Sequence, residues 1–241
     1  MMCRRIVADC LVRMSQSVVV GVSTKELDRI AADFLKKHGA RSAPILTYKF
    51  PGTTCISVNN DVAHGIPSHR KIGAGDIVNI DVSAELDGYF ADTGGSFVVP
   101  PSSERHRRVI AGTKAALAAA MGVARHGQPI NASGRAIEET AKAHELSIIR
   151  NIGSHGVGRA LHEEPEFIAS YYDPKDHRKL QNGMVITIEP FLSTGALRVE
   201  EGEDGWTLYT SPRYVTAQFE HTLVITNGAP LIMTLPSVQV S

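Results

Sequence analysis

Apolar residues recur along this chain with two periods, and the changes of period mark its elements. After Ser23, the residues Leu27, Ile30, Ala31, Phe34 and Leu35 return at the spacing of one helix face. Ser23 followed three residues later by Glu26 is a capping signal for that helix. Gly39 suits its C-terminal end, and the whole opening stretch to about Gly39 reads as helical. Residues 54–60, TCISVNN, are β-branched and read as a strand. Residues 75–99 alternate as two strands around Asp87-Gly88, a dipeptide that favours a two-residue hairpin turn. Residues 100–104 punctuate, the Ala-rich stretch 105–125 predicts a helix, and 131–146 predicts another. SHGVGRALHEEP, 154–165, reads as a glycine-rich connection. GMVITIEPF, WTLYT and TAQFEHTLVIT read as strands.

Part of this pattern occurs twice. RKIGAGDIVNID at 70–81 aligns with RKLQNGMVITIE at 178–189, an offset of 108 residues. In each copy a turn glycine leads into an apolar strand, and a carboxylate stands six residues after the glycine. A common turn-strand pattern accounts for the aliphatic residues but not for a match that ends in an acid. The repeat predicts two pseudo-twofold-related halves, about 1–125 and 126–241, within one domain spanning 1–241.

Composition narrows the class. A chain of 241 residues and 26.0 kDa suits one sizeable α/β domain, and no low-complexity linker divides it. Lys plus Arg and Asp plus Glu each number 25, so the formal charge is zero. That balance disfavours a general electrostatic grip on nucleic acid or on an anionic membrane. No run approaches the ~18 apolar residues of a membrane span, and MMCRRIVADCLVR, interrupted by Asp9, is a poor signal peptide. Cys3, Cys10 and Cys55 make no disulfide framework and no CxxC pair, which points to a reducing cytoplasm and away from a thiolate zinc site.

The carboxylates carry the chemistry. If Asp87 and Gly88 are the two loop residues, Leu86 pairs with Tyr89 and Asp92 lies opposite Ser83. Side chains alternate between faces, so Asp81, Ser83 and Asp92 then share one face. Asp is disfavoured inside strands, yet Asp81 stands between Ile80 and Val82; a buried acid needs a cation or hydrogen-bond donors. Glu189 ends the apolar strand 184–188, and Glu220 sits among Phe219, Leu223 and Val224. If the repeat brings these strands together, four carboxylates converge. They cannot all stay ionised unaided, and two divalent cations would balance them. An oxygen-rich set with added histidine suits Mn, Fe(II), Co or Zn without choosing among them. The candidate histidines are His155 and His162, flanking the glycine-rich segment, and His64 in AHGIP. His221 falls on the opposite strand face from Glu220 and reads as structural.

The order Asp81, Asp92, His155, Glu189, Glu220 resembles the dinuclear metal set of the methionine aminopeptidases. The surrounding segments AHGIP, NIDVSAELDGYFADTGGSF, SHGVGRALHEEP, ITIEPF, DGWTLYTSPR and QFEHTLVIT match that family from the first helix to almost the last strand. With no large insertion between the HEEP segment and Glu189, the resemblance is to the type I branch. It implies an α/β (α+β) pita-bread fold, two related halves around a central antiparallel sheet and a dinuclear metal site. It implies release of N-terminal methionine ahead of a small second residue, by metal-activated water. Asp81, Asp92, His155, Glu189 and Glu220 would hold two divalent ions, with Asp92 and Glu220 bridging. His64 and His162 would hydrogen-bond the scissile peptide, Glu189 would shuttle a proton, and Cys55 and Trp206 would line the methionine pocket.

The implied partners are peptide and nascent-chain N-termini, at the ribosome, with no specific nucleic acid and no membrane. The implied protein is a cytoplasmic monomer. Departures from the family pattern touch the pocket rather than the ligands: Thr47, Tyr48, Phe50, Ala63, Ser154 and Leu161. The alternatives are a proline-directed aminopeptidase or dipeptidase of the same fold, and a non-catalytic binding module. The ligand types do not exclude the first; a full ligand set argues against the second.

Overall fold

The computed structural model describes residues 2–237. The opening helical stretch is two helices, α1 (Met2–Ser15) and α2 (Thr24–Lys37), rather than one. Gly21, at φ +90°, and the capping residue Ser23 break it. Ser23 accepts from the Glu26 amide while the Glu26 carboxylate accepts from the Ser23 amide, so the capping box is complete. A two-residue strand β1 (Arg41–Ser42) and a short helix α3 (Ala43–Tyr48) follow. Next come β2 (Cys55–Val58), β3 (Asp61–Ala63), β4 (Ile77–Leu86) and β5 (Tyr89–Val98). The helices α4 (Glu104–Val123) and α5 (Asn131–Ala143) lead into β6 (Ser147–Ile148).

The segment read as a glycine-rich connection ends in strands, β7 (Ser154–Gly156) and β8 (Glu163–Ile168), which pair antiparallel. Gly156 explains the close pairing: a Cβ there would lie 2.4 Å from the Glu164 carbonyl oxygen. The chain closes with β9 (Val185–Ile188), β10 (Phe191–Ser193), β11 (Glu200–Glu201), β12 (Leu208–Tyr209), β13 (Thr216–Gln218), β14 (His221–Val224) and β15 (Leu231–Ile232).

The β4–β5 hairpin has the predicted register. Leu86 pairs with Tyr89, Ser83 with Asp92 and Asp81 with Gly94, and Asp87 and Gly88 both take positive φ. Each half packs two helices on its sheet. In the first, α1 and α2 bury Val7, Cys10, Met14, Leu27 and Leu35 against Val78, Ile80 and Val82. In the second, α5 is joined by α4, which at Glu104–Val123 lies before the expected boundary at 125, and together they bury Val109, Ala116, Leu117 and Ile137 against Ile186, Ile188 and Leu223.

The repeat extends into the hydrogen bonds. Gly75 N–H donates to Val99 O at 3.0 Å and Gly183 N–H to Ile225 O at 2.8 Å, both glycines lying at positive φ. Ile72 N–H donates to Val22 O at 2.8 Å, and Leu180 N–H to Gln128 O at 2.9 Å.

The strands expected at GMVITIEPF and TAQFEHTLVIT are each cut in two. The sheets switch there: β9 and β14 lie in a five-stranded sheet, β10 and β13 in a three-stranded one. Pro190 has no N–H to continue the ladder, and Phe219 turns to bridge Gly95 of the first half. Ile188 pairs with His221 and Phe191 with Gln218, so Glu189 stands opposite Glu220 at the switch point.

Candidate active site

The four acids meet where the halves meet. β5 is tied to the β13–β14 region by the Glu220 N–H to Gly94 O bond, 3.0 Å, and the Thr93 hydroxyl to Glu220 O bond, 2.9 Å. Thr222 adds a reciprocal pair: its hydroxyl donates to Asp92 O at 2.7 Å and accepts from Asp92 N–H at 3.0 Å. These bonds set Asp92 beside Glu220, 128 positions away in sequence. Asp92, Glu189 and Glu220 are buried and Asp81 is half-buried. One ligand-type atom from each of Asp92, His155 and Glu220 lies within 4.8 Å of the other two. His155 Nε2 is 3.5 Å from Glu189 Oε1 and 4.0 Å from Asp92 Oδ2. Asp81 and Asp92 are close enough that each shifts the other's ionisation.

Burial pushes all four carboxyls up. Asp81 rises to about 6, partly offset by its interaction with Asp92. Asp92 is raised well above the usual range by burial and then by the charges of Glu220 and Asp81. Glu189 is raised by burial and then by Asp81 and Asp92, and Glu220 by burial and then by Glu189 and Asp81. Burial depresses His155 to about 3, with a further push from His162, so its ring is neutral. Its Nδ1 lies 2.9 Å from the Gly156 carbonyl, which only accepts, so Nδ1 carries the proton and Nε2 presents a lone pair to the acids. A lone pair facing carboxylates is an arrangement that a cation resolves. Two oxygens make the same point: Asp92 Oδ1 and Glu220 Oε1 are buried with no hydrogen-bond partner. Buried polar atoms are rarely left unpaired. The donor set, oxygen-rich with one imidazole nitrogen, fits divalent metal.

A polar layer behind the acids holds them in place. Gln218 donates to Glu220 Oε2 at 3.1 Å and accepts from Asn79 at 2.8 Å. Gly94 makes room for it, because a Cβ at 94 would lie 2.5 Å from Gln218 Oε1. The Thr187 hydroxyl donates to Glu189 Oε1 and accepts from the His155 amide, each at 3.1 Å. Ser154 Oγ accepts from the Glu189 amide at 3.0 Å, which gives this serine, one of the departures from the family pattern, a buried structural task. Sequence reasoning passed over Gln218, Asn79 and Thr187. Period-2 alternation was the available signal for two of them: Gln218 shares a strand face with Glu220, and Thr187 with Glu189.

A cavity of about 400 Å3 opens onto Asp81, Asp92, His155 and Glu189. Cys55, His64, His162 and Trp206 all line it. Cys55 pairs with Asp81 across β2 and β4, and burial pushes its thiol well up, so it is an apolar wall rather than a nucleophile. Trp206 meets the Phe50 ring edge-on at 5.2 Å. His64 takes a left-handed backbone at φ +54°, and the next residue, Gly65, packs against β2, where a Cβ would lie 2.4 Å from Ile56 O. His155 and His162 face each other across the β7–β8 hairpin with ring centroids 4.0 Å apart. His64 and His162 are open to water in the cavity, yet the protein around them lowers both imidazoles by desolvation.

Of the remaining departures, Tyr48, Phe50, Ala63 and Leu161 line the cavity, whereas Thr47 is exposed outside it. Glu166 and Phe167, both exposed, join the lining from β8 and were not anticipated. His221 turns away as expected, its Nδ1 2.9 Å from Thr234 Oγ1. His106 completes the capping box of α4.

Comparison with known proteins agrees with this geometry. Residues 2–227 match the model of metallopeptidase family M24. A methionine aminopeptidase 2 from Bacillus subtilis is 46% identical over 231 residues, covering 95% of this chain and 93% of that protein. A methionine aminopeptidase from Staphylococcus epidermidis is 46% identical over 222 residues, 92% of this chain and 88% of that one. Among solved structures, a methionine aminopeptidase from Thermotoga maritima superposes with TM-score 0.91 at 33% identity, covering 96% of this chain and 93% of its own. A prolidase from Pyrococcus furiosus, at 23% identity, shares the fold with TM-score 0.77, but this chain spans 62% of it. The full-length match, the two halves around one site and the carboxylate cluster lead to one conclusion: the chain belongs to metallopeptidase family M24, among the methionine aminopeptidases of the pita-bread fold.

Proposed function

We propose that this protein is a metal-dependent aminopeptidase that releases methionine from peptide N-termini when the second residue is small. The observation that carries the reading is the juxtaposition of three buried acids, the half-buried Asp81 and a lone-pair-bearing His155 with a largely apolar cavity. In this reading Asp81, Asp92, His155, Glu189 and Glu220 would hold two divalent ions. The buried, unpartnered oxygens of Asp92 and Glu220 would serve among their ligands. Such ions, when bound, polarise a carbonyl and lower the pKa of water. Their identity is drawn from Mn, Fe(II), Co and Zn.

The chain's own residues do the rest. Phe50, Cys55, Leu161, Phe191 and Trp206 offer an apolar, partly aromatic wall, which suits an unbranched thioether. His162 and His64, on the cavity wall beside the acids, hydrogen-bond the scissile peptide group. Glu189 hands the proton to the leaving amine, its position fixed by Thr187 and Ser154. The second residue of the substrate passes close to the β7–β8 backbone, where bulk collides, so small side chains are preferred.

We place this work on peptide and nascent-chain N-termini in the cytoplasm, by a monomer. A balanced net charge supports the absence of nucleic-acid or membrane partners, and no helix among the described residues is long and apolar enough to cross a membrane. The test is kcat/KM for Met-Ala-Ser, Leu-Ala-Ser, Met-Lys-Ser and an Ala-Pro peptide across the four metals. Met-Ala-Ser should be cleaved fastest; faster turnover of Leu-Ala-Ser or of the Ala-Pro peptide would overturn the reading.

A further inference from the structure

One cavity residue makes a contact that the chemistry above does not use. Tyr48 is the last residue of α3, and its hydroxyl lies 2.6 Å from His162 Nδ1. The two residues are 114 positions apart, so tertiary structure alone joins them. The helix that carries Tyr48 is pinned at both ends. Ser42 caps it through the Ile45 amide and donates to Thr53 O at 2.7 Å. Lys49 closes it with a left-handed backbone at φ +59°, and Phe50 beyond it is buried against Trp206. The phenol is therefore held by rigid structure, although Tyr48 is 44% exposed.

A phenol is the better donor of this pair and an imidazole nitrogen the better acceptor, so the bond runs from the Tyr48 hydroxyl to Nδ1. A phenol ordinarily ionises near 10, and burial pushes Tyr48 higher, so that proton is present throughout the neutral range. With Nδ1 accepting, the ring proton of neutral His162 resides on Nε2. Among the described residues Nε2 has no protein partner, and His162 lines the cavity.

We propose that Tyr48 is a positioning residue for His162, locking that imidazole in the tautomer and orientation that present Nε2–H to the substrate carbonyl. This rests on the reading of His162 as a substrate-side donor. A donor aimed at developing negative charge contributes most when it is preorganised, because it need not reorient as charge appears. A ring freed to rotate or to change tautomer loses part of that advantage. Tyr48→Phe removes one hydroxyl and leaves the ring in place.

The experiment compares wild type, Tyr48→Phe and His162→Ala. Metal-loaded proteins give kcat and KM for Met-Ala-Ser together with bound-metal content. The metal-free proteins give the His162 tautomer by 15N NMR above the histidine titration. Tyr48→Phe should bind metal like wild type, lose kcat about five- to twentyfold with KM changed less than about twofold, and show His162 as a mixture of tautomers. Para-aminophenylalanine at position 48, which keeps a donor there, should restore both the tautomer and most of kcat. If His162→Ala is impaired while Tyr48→Phe matches wild type, the inference about Tyr48 fails and the role of His162 stands. If His162→Ala turns over at the wild-type rate, it is the reading of His162 that fails. A slow Tyr48→Phe whose His162 tautomer is unchanged would also overturn the inference, since the loss would then be structural.

Discussion

The metal-free protein holds four acids that repel one another, so removing one of them should stabilise it even as it destroys function. Consider Asp92→Asn, which keeps shape and removes one charge. The facing atoms of Asp92 and Glu220 lie within 4.8 Å. Two full charges at that distance repel by about 3 kcal/mol at an effective dielectric of ~20. Partial protonation of the cluster reduces this, leaving a gain of about 1–3 kcal/mol for the variant. For a chain of this length that is a rise in Tm of about 2–10 °C, measured by thermal melting after chelation.

The pH dependence follows from the direction of the shifts. Asp81, Asp92, Glu189 and Glu220 all bind protons more tightly folded than unfolded. At these four groups the folded state therefore holds more protons, and their contribution to stability falls as pH rises. The fall starts near the unfolded carboxyl value of about 4 and continues through the folded value of about 6 for Asp81 and beyond it for the others. The imidazoles of His64, His155 and His162, lowered by desolvation, push the other way between pH 7.5 and pH 5, so the carboxyl contribution is read as a difference: the stabilisation of metal-free Asp92→Asn over wild type should grow from pH 5 to pH 7.5. Adding divalent metal should raise the wild-type Tm far more than that of the variant, and the metal-loaded variant should be inactive. A metal-free Asp92→Asn less stable than wild type, or a stability difference between the two that does not change from pH 5 to pH 7.5, would refute the charge-crowding reasoning.

Three other outcomes follow. Thr187→Val strips the hydroxyl that donates to Glu189 and accepts from the His155 amide; metal affinity by calorimetry should fall about 10- to 100-fold, and an unchanged affinity would show that this hydroxyl does not tune the site. Gly94→Ala places a Cβ 2.5 Å from Gln218 Oε1 and should displace the Gln218–Glu220 bond, costing about 1–3 kcal/mol in denaturant unfolding and lowering kcat. Glu85 accepts from the Gly88 amide at 2.7 Å and from Arg41 at 2.6 Å, which together hold its carboxyl below the usual range. Glu85→Gln should cost about 1 kcal/mol, since Arg41 is largely exposed. Because the folded value is depressed, that contribution is present above the unfolded value of about 4.5 and is lost as pH falls through the folded one; a variant whose deficit persists at pH 2 would contradict the assignment.

The hairpin was readable in the sequence because its information is local. Asp87-Gly88 chooses the turn, the turn sets the register, and the register puts Asp81 and Asp92 on one face. The duplicated turn-strand-acid segment was equally legible, and the same left-handed glycines and ladder bonds recur in both halves. The Ser23–Glu26 cap is another local device that sequence alone defines.

Other features depend on partners far away in the chain, and no local rule contains them. The strands at 183–191 and 216–226 read as continuous because no turn dipeptide divides them, although Pro190 marks the first break locally. They are cut at Glu189 and Glu220 because the two halves approach there and each segment changes sheets. The pairing of Tyr48 with His162 and the fit of Gln218 over Gly94 likewise arise from segments that meet only after the halves close. Sequence determined which residue types were available and how each hairpin aligned its own side chains. Only the docking of the halves decided which carboxylates became neighbours, because burial and charge crowding are properties of the assembled interior rather than of any one strand.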